Sequence, residues 1–283
     1  MVADAALIDT YDRPPVELPG REPSLLERIR GRIGWKGAVI IEVAILIVLW
    51  EILISGFKVF PPSLFPAPSA VLVELVDFVT SGKFFKHLGF SAGNFVVGYL
   101  LAAVLGSTLG FLLGSFITLR GIVLPVLWIF YATPRLAMQP LLLLWLGFGN
   151  APKILIIFLL AFFPIVFVVL EGVRDTDPAL LRSARVYGTK GVAMYTKILL
   201  PAALPFVLVG LRLGIARGLV GVIIGEWIGG NQGLGYRLLL AGQEFRVDEI
   251  LAITFILILI ANVCMALLSA VRRRLAPWAD EDA

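Results

Sequence analysis

Cysteine and histidine are the scarcest residues in this chain: one of each, Cys264 and His87. A single thiol can neither close a disulfide within the chain nor build a Cys-based metal site. A single imidazole removes most acid–base and zinc chemistry, so no metal site and no catalytic residue is assigned. Charge is scarce too: 16% of the 283 residues are Asp, Glu, Lys or Arg, against about 25% in a soluble domain. No G-x-x-x-x-G-K-[ST] phosphate loop occurs, and Gly188-Thr189-Lys190-Gly191 has neither its spacing nor its trailing hydroxyl. The chain therefore offers no ATP site of its own. Nothing beyond a basic N-terminal arm suggests nucleic acid, and membrane binding explains that arm better.

Apolar sequence is what the chain has in excess. Hydrophobic residues make up 59%, mean hydropathy is +0.94, and several runs exceed the roughly 18 residues that mark a membrane span. The expected fold class is an all-α membrane protein with six transmembrane helices, near 37–55, 88–116, 122–146, 153–170, 204–225 and 248–271. Three regions follow: a tail and basic interfacial helix over 1–36, a membrane domain over 37–271 with a polar insert at 173–203, and a tail over 272–283.

Local signals fill in this outline. Residues 1–20 are polar and acidic, too long and too acidic to start a signal peptide, so no cleavage is expected. Ser24 to Glu27 forms a capping box that opens the basic helix, with Leu25, Leu26, Ile29 and Ile33 towards lipid and Trp35 at the interface. A Pro-rich loop follows the first span and holds a helix over 70–80, capped by Ser69. Gly106, Gly110 and Gly114, and again Gly210, Gly214 and Gly218, are spaced four apart, which gives flat strips for close helix approach. Arg120 marks a short turn. Pro125, Pro134 and Pro140 interrupt the third span, and the backbone groups they free need protein or a wet cavity. Residues 226–247 read as a Gly-rich loop.

Six spans place both termini on one side. Fifteen Lys and Arg then fall in the terminal-side segments and six in the opposite ones, so the termini and the insert are expected in the cytosol. Four residues are costly in lipid: Arg135, Arg212, Arg217 and Glu226. Each Arg costs about 2.5 kcal/mol or more within a span. It either pairs with Glu42, Glu51 or Glu226, or lines a translocation pathway. Gly89-Phe90-Ser91-Ala92-Gly93 matches the G-x-S-x-G pattern of hydrolases, but the only His precedes it in the chain, and small-residue helix packing is the better reading.

The insert from Asp177 to Pro201 carries the strongest pattern. Asp177 caps a helix and Pro178 suits its first turn. Leu180, Leu181, Ala184 and Tyr187 share one side; Arg182, Ser183 and Arg185 share the other. Gly188 stops the helix in a left-handed conformation. A second short helix then runs to Ile198, and Pro201 ends it. By spacing alone this is either an amphipathic loop or a docking element.

Ala184, Gly188, Ile198, Leu200 and Pro201 resemble the cytosolic loop E-A-A, three residues, G, nine residues, I, one residue, L-P of ABC importer membrane subunits. Arg182 and Ser183 replace its first Glu and Ala. Leu64 to Val71, Ala132 to Ile154 and the FFP before VRDTDP are similar to the nitrate/sulfonate/taurine-type permeases, over about 60–268. The resemblance implies the type I importer fold of a bacterial inner-membrane protein. It also implies a second copy of the chain, two ABC ATPase subunits that bind ATP and Mg, and an extracytoplasmic solute-binding protein. Leu180, Leu181, Arg182, Ala184, Arg185, Tyr187, Gly188, Ile198, Leu200 and Pro201 would then couple to the ATPase. The solute class it suggests is a small anion: a sulfonate, taurine, nitrate or an aromatic carboxylate. Two readings stand against it. A secondary transporter or channel would show inverted repeats or mid-span carboxylates, and an intramembrane hydrolase has only the GFSAG run in its favour.

Overall fold

The computed structural model describes residues 25–276 apart from 58, 62 and 228, with side chains described at 37 and from 39 onward. The acidic tail, the Ser24 cap, the side chains of the basic arm and residues 277–283 lie outside the described residues. The chain divides into two compact units at Val59 and Phe60. In the first, α1 runs from Leu25 to Glu51 and closes in a π-helical turn, Ile52–Gly56. The basic arm and the first span are one continuous helix, not two. Between Leu25 and Glu51 there is no proline, and Gly31, Gly34 and Gly37 weaken a helix without breaking it.

The second unit is built around α6 (Ala151–Arg174), which packs most extensively against α3 (Lys83–Ser115) and α8 (Leu200–Trp227). Both glycine strips face it. A Cβ on Gly110 would lie 2.6 Å from the Val166 carbonyl oxygen, and one on Gly214 would lie 2.7 Å from the Ile165 Cδ1. The backbones therefore approach as closely as the sequence pattern predicts, and Ile157, Ile165, Val166 and Val169 are buried between them. Helix α2 (Pro68–Thr80) and helix α10 (Val247–Leu275) pack together, with Phe78, Ile253 and Ile256 in a shared cluster.

Among the described residues five helical stretches are long and apolar enough to cross a membrane: 39–56, 83–115, 151–174, 194–227 and 247–275. The expected third span is the broken one. It consists of α4 (Ile117–Ala132), a turn, and α5 (Gln139–Leu146). Pro134 falls in the turn, whereas Pro125 is tolerated inside α4 and Pro140 sits in the first turn of α5.

Four expectations are corrected. Ser69 does not cap α2: Pro68 opens the helix and Ala67 is its N-cap, so Ser69 falls within the first turn. Arg120 is not in a turn: Phe116 alone makes the reversal, in an extended conformation, and Arg120 lies inside α4. Pro201 ends no helix. A π-helical turn, Met194–Leu199, leads directly into α8, and its wider register accommodates the residue that lacks an N–H. The 226–247 loop contains a further helix, α9 (Leu234–Gln243). Its start is set by side chains from other helices, which no local pattern shows.

Candidate functional site

The insert forms as its residues dictate. The Asp177 carboxylate accepts the Ala179 N–H at 2.7 Å, and α7 (Pro178–Val186) follows. Gly188 has φ +84°, and the Thr189 N–H closes onto the Ala184 carbonyl at 2.9 Å. The apolar stripe of α7 is divided between two environments. Leu181 packs on the cluster of Val173, Leu199 and Ala203, and Ala184 is buried. Leu180 is exposed, as are Val186 at 85% and Tyr187 at 89%. The inward half of the stripe is thus taken by the chain's own core. Val186, which the sequence reading passed over, joins the outward half. Arg182 and Arg185 are exposed, Ile198 is half-buried, and Leu200 is exposed.

Arg135 lies in the break between α4 and α5. Its guanidinium stands 4.9 Å from the Tyr131 ring centroid and 5.2 Å from that of Phe163, and it donates to the Leu159 carbonyl at 3.5 Å. No carboxylate pairs with it among the described residues of its unit. The break is pinned nearby by Gln139, whose side-chain nitrogen donates to the Ile224 carbonyl at 2.5 Å. Arg212 and Arg217 are exposed on α8. They flank a stripe of Phe206, Val209, Leu213 and Val220, all exposed.

Glu226 is not the partner of any of these arginines. It is fully buried. The Ser91 hydroxyl donates to its Oε1 at 2.8 Å, and the Gly235 N–H donates to its Oε2 at 2.8 Å. The same Ser91 oxygen accepts the Leu234 N–H at 2.8 Å, and His87 Nδ1 accepts the Gly233 N–H at 3.0 Å. Three side chains thus satisfy the otherwise orphaned donors that open α9, and a carboxylate suits the positive end of a helix. Ser91 donates to a carboxylate and His87 is engaged elsewhere, so the GFSAG run does not assemble a nucleophile–base pair. Gly235 is required here: a Cβ would come within 2.7 Å of the Ile223 carbonyl oxygen.

Helix α9 is fastened at its far side by charge. Arg237 and Arg246 both pair with the buried Glu249, the latter at 2.7 Å, and Arg246 also reaches Glu74 of α2 at 2.8 Å. Burial works against the Arg246 charge, but Glu249, Glu74 and Asp248 outweigh it and raise its pKa. The sequence named Ser91 and His87 without their role at the start of α9, and it did not show this network. The spacing of Arg237, Arg246 and Glu249 around α9 was the available signal.

Residues 102–281 match the family described as binding-protein-dependent transport system inner membrane component. The chain is 32% identical over 249 residues to the putative aliphatic sulfonates transport permease protein SsuC of Bacillus subtilis, covering 88% of this chain and 90% of that one. It is 30% identical to the taurine transport system permease protein TauC of Escherichia coli, covering 84% and 88%. It is 29% identical to the formylaminopyrimidine transport permease protein ThiX of Halalkalibacterium halodurans, covering 82% and 92%. Broken apolar helices, two glycine strips facing one central helix, and an insert whose capped first helix stops at Gly188 are thus parts of a transport permease. The chain belongs to the binding-protein-dependent transport system inner membrane component family, the multi-pass permease subunits of ABC importers.

Proposed function

We propose that the chain works as a homodimer with two ABC ATPase subunits, which bind ATP and Mg, and with an extracytoplasmic solute-binding protein. Its termini and the Asp177–Pro201 insert face the cytosol, as the excess of Lys and Arg on that side favours. The insert presents Leu180, Val186, Tyr187 and the Gly188 turn to the ATPase. ATP-driven closure then draws the two inserts together and turns the cavity between the copies outward.

The solute is a small anion of the sulfonate class. The observation that carries this is the set of arginines in the membrane domain, Arg135, Arg212 and Arg217, none held by a carboxylate among the described residues of its unit. A guanidinium in lipid costs about 2.5–3.5 kcal/mol, so an aqueous pathway shared with a second copy is the cheapest surrounding for Arg212 and Arg217. Five donors in a planar fork suit sulfonate or carboxylate oxygens. The sulfonate and taurine relatives point the same way.

Glu226 is proposed to support the pathway without lining it, since its oxygens are spent on α9. The test is uptake into proteoliposomes holding the chain, its ATPase and its binding protein. ATP-dependent accumulation of taurine or an alkanesulfonate is the expected result. Uptake of formylaminopyrimidine alone would overturn the anion assignment, and uptake without the ATPase would overturn the importer mechanism.

A further inference from the structure

Where the apolar runs of α3 and α6 stop, an open-sided cavity of about 390 Å³ lies between these helix ends, the start of α4, and the insert. Arg120, Arg174 and Arg185 line it, with Ser115, Thr176 and Tyr195 supplying hydroxyls. Among the described residues no Asp or Glu lines it. Arg174 is shared with Glu171 at 2.9 Å, whereas Arg120 and Arg185 have no carboxylate within ion-pair distance among the described residues of the unit.

Complementing helix ends explains part of this. Arg174 and Arg185 occupy the last turns of α6 and α7, where a positive charge offsets the terminal carbonyls. It does not explain Arg120. That residue lies in the first turn of α4, where the helix end is itself positive, and it is half-buried. A cation placed against its own helix end, and beside two more, implies a negative group that the described residues do not provide. The cavity lies at the level where spans end, which is where phosphodiester headgroups sit. Ile117 and Ile122, both exposed on the helix that carries Arg120, give an acyl chain an apolar surface.

We propose that this cavity binds a phosphate-type oxyanion, from an anionic lipid headgroup or from free phosphate, and that the bound anion clamps the insert to α4 and α6. The site itself is independent of the importer reading; only the assignment of the cavity to the cytosolic leaflet rests on it. Three elements contribute one guanidinium each, so the anion bridges α4, α6 and α7 through charge-assisted hydrogen bonds. Basic pockets between membrane helices on the cytoplasmic side bind anionic headgroups on the same physical grounds.

Native mass spectrometry of the full chain in micelles, with dioleoylphosphatidylglycerol against dioleoylphosphatidylcholine, tests the lipid source. Calorimetric titration with inorganic phosphate tests the free anion. The expected result is preferential retention of phosphatidylglycerol or saturable phosphate binding, with Arg120→Gln and Arg185→Gln each weakening it about tenfold. Lys197→Gln, which removes an exposed charge of the insert outside the cavity, should change it less than about twofold. Should Arg120→Gln fail to fold, the exposed Arg185→Gln carries the same test. Equal retention of both lipids together with no phosphate binding would overturn the proposal. So would an equal loss in Lys197→Gln, which would reduce the effect to general positive charge.

Discussion

Ser91 and Glu226 lie 135 positions apart and meet at 2.8 Å, hydroxyl to carboxylate, at the start of α9. Neither residue is legible as a partner of the other. Together they hold the helix that Arg237 ties to Glu249 of α10, and Arg246, at the start of α10, reaches Glu74 of α2.

Ser91→Ala is therefore predicted to leave the Leu234 N–H and one Glu226 oxygen unsatisfied in a buried site. The expected loss is about 1–3 kcal/mol, read as a lower denaturation midpoint of the detergent-solubilised chain. Glu226→Leu should cost more than Glu226→Gln, because Gln keeps an acceptor for the Gly235 N–H. Equal stability of Ser91→Ala and the parent would remove the cap from the account.

The two halves of the α7 stripe separate folding from coupling. Val186→Asp and Tyr187→Asp change exposed positions and should leave the chain folded while weakening ATPase association in copurification. Leu181→Asp places a charge against Leu199 and Ala203 and should lower yield and stability of the chain itself. Gly188→Val strains a position at φ +84° and should uncouple hydrolysis from transport. Normal transport by Gly188→Val would show that the turn is dispensable.

Arg135→Gln should assemble with the ATPase and hydrolyse ATP, yet transport poorly. Arg135→Lys should rescue it only in part, since an ammonium loses the planar stacking on Tyr131 and Phe163. Unimpaired uptake by a well-assembled Arg135→Gln complex would end its pathway role.

The close approach of α3 to α6 predicts that Gly110→Val blocks folding more severely than Gly93→Val. A Cβ at Gly110 meets Val166 and Val169, whereas one at Gly93 meets nothing within 4 Å. Expression in membranes followed by gel filtration reads the difference.

Topology is checked with single cysteines in a Cys264→Ala background. Lys190→Cys and Glu244→Cys are both exposed positions on opposite sides of the proposed membrane. Lys190→Cys should be protected from an impermeant thiol reagent in intact cells and Glu244→Cys should be labelled. Labelling of both from outside would reverse the orientation.

Much of the fold was written in periodicity. Runs of apolar residues announced the long helices, and the four-residue spacing of Gly106, Gly110 and Gly114 announced a face that another backbone could approach. Asp177, Pro178 and Gly188 announced the start and stop of α7, because caps and left-handed turns are properties of a few neighbouring residues. The Pro134 break was legible for the same reason: a missing N–H is a local fact.

What the sequence could not decide was anything that depends on which surfaces meet. Helix α9 was hidden, since its start needs acceptors from Ser91 and Glu226, which lie on other helices. The division of α7 into inward Leu181 and outward Val186 and Tyr187 was equally hidden, because helical spacing gives a stripe but not what covers it. The sequence alone settled the membrane class and the local shape of the α7 helix. Only the tertiary structure decided that Glu226 caps a helix instead of pairing with Arg135, because hydrogen bonds between distant segments follow from packing and not from spacing.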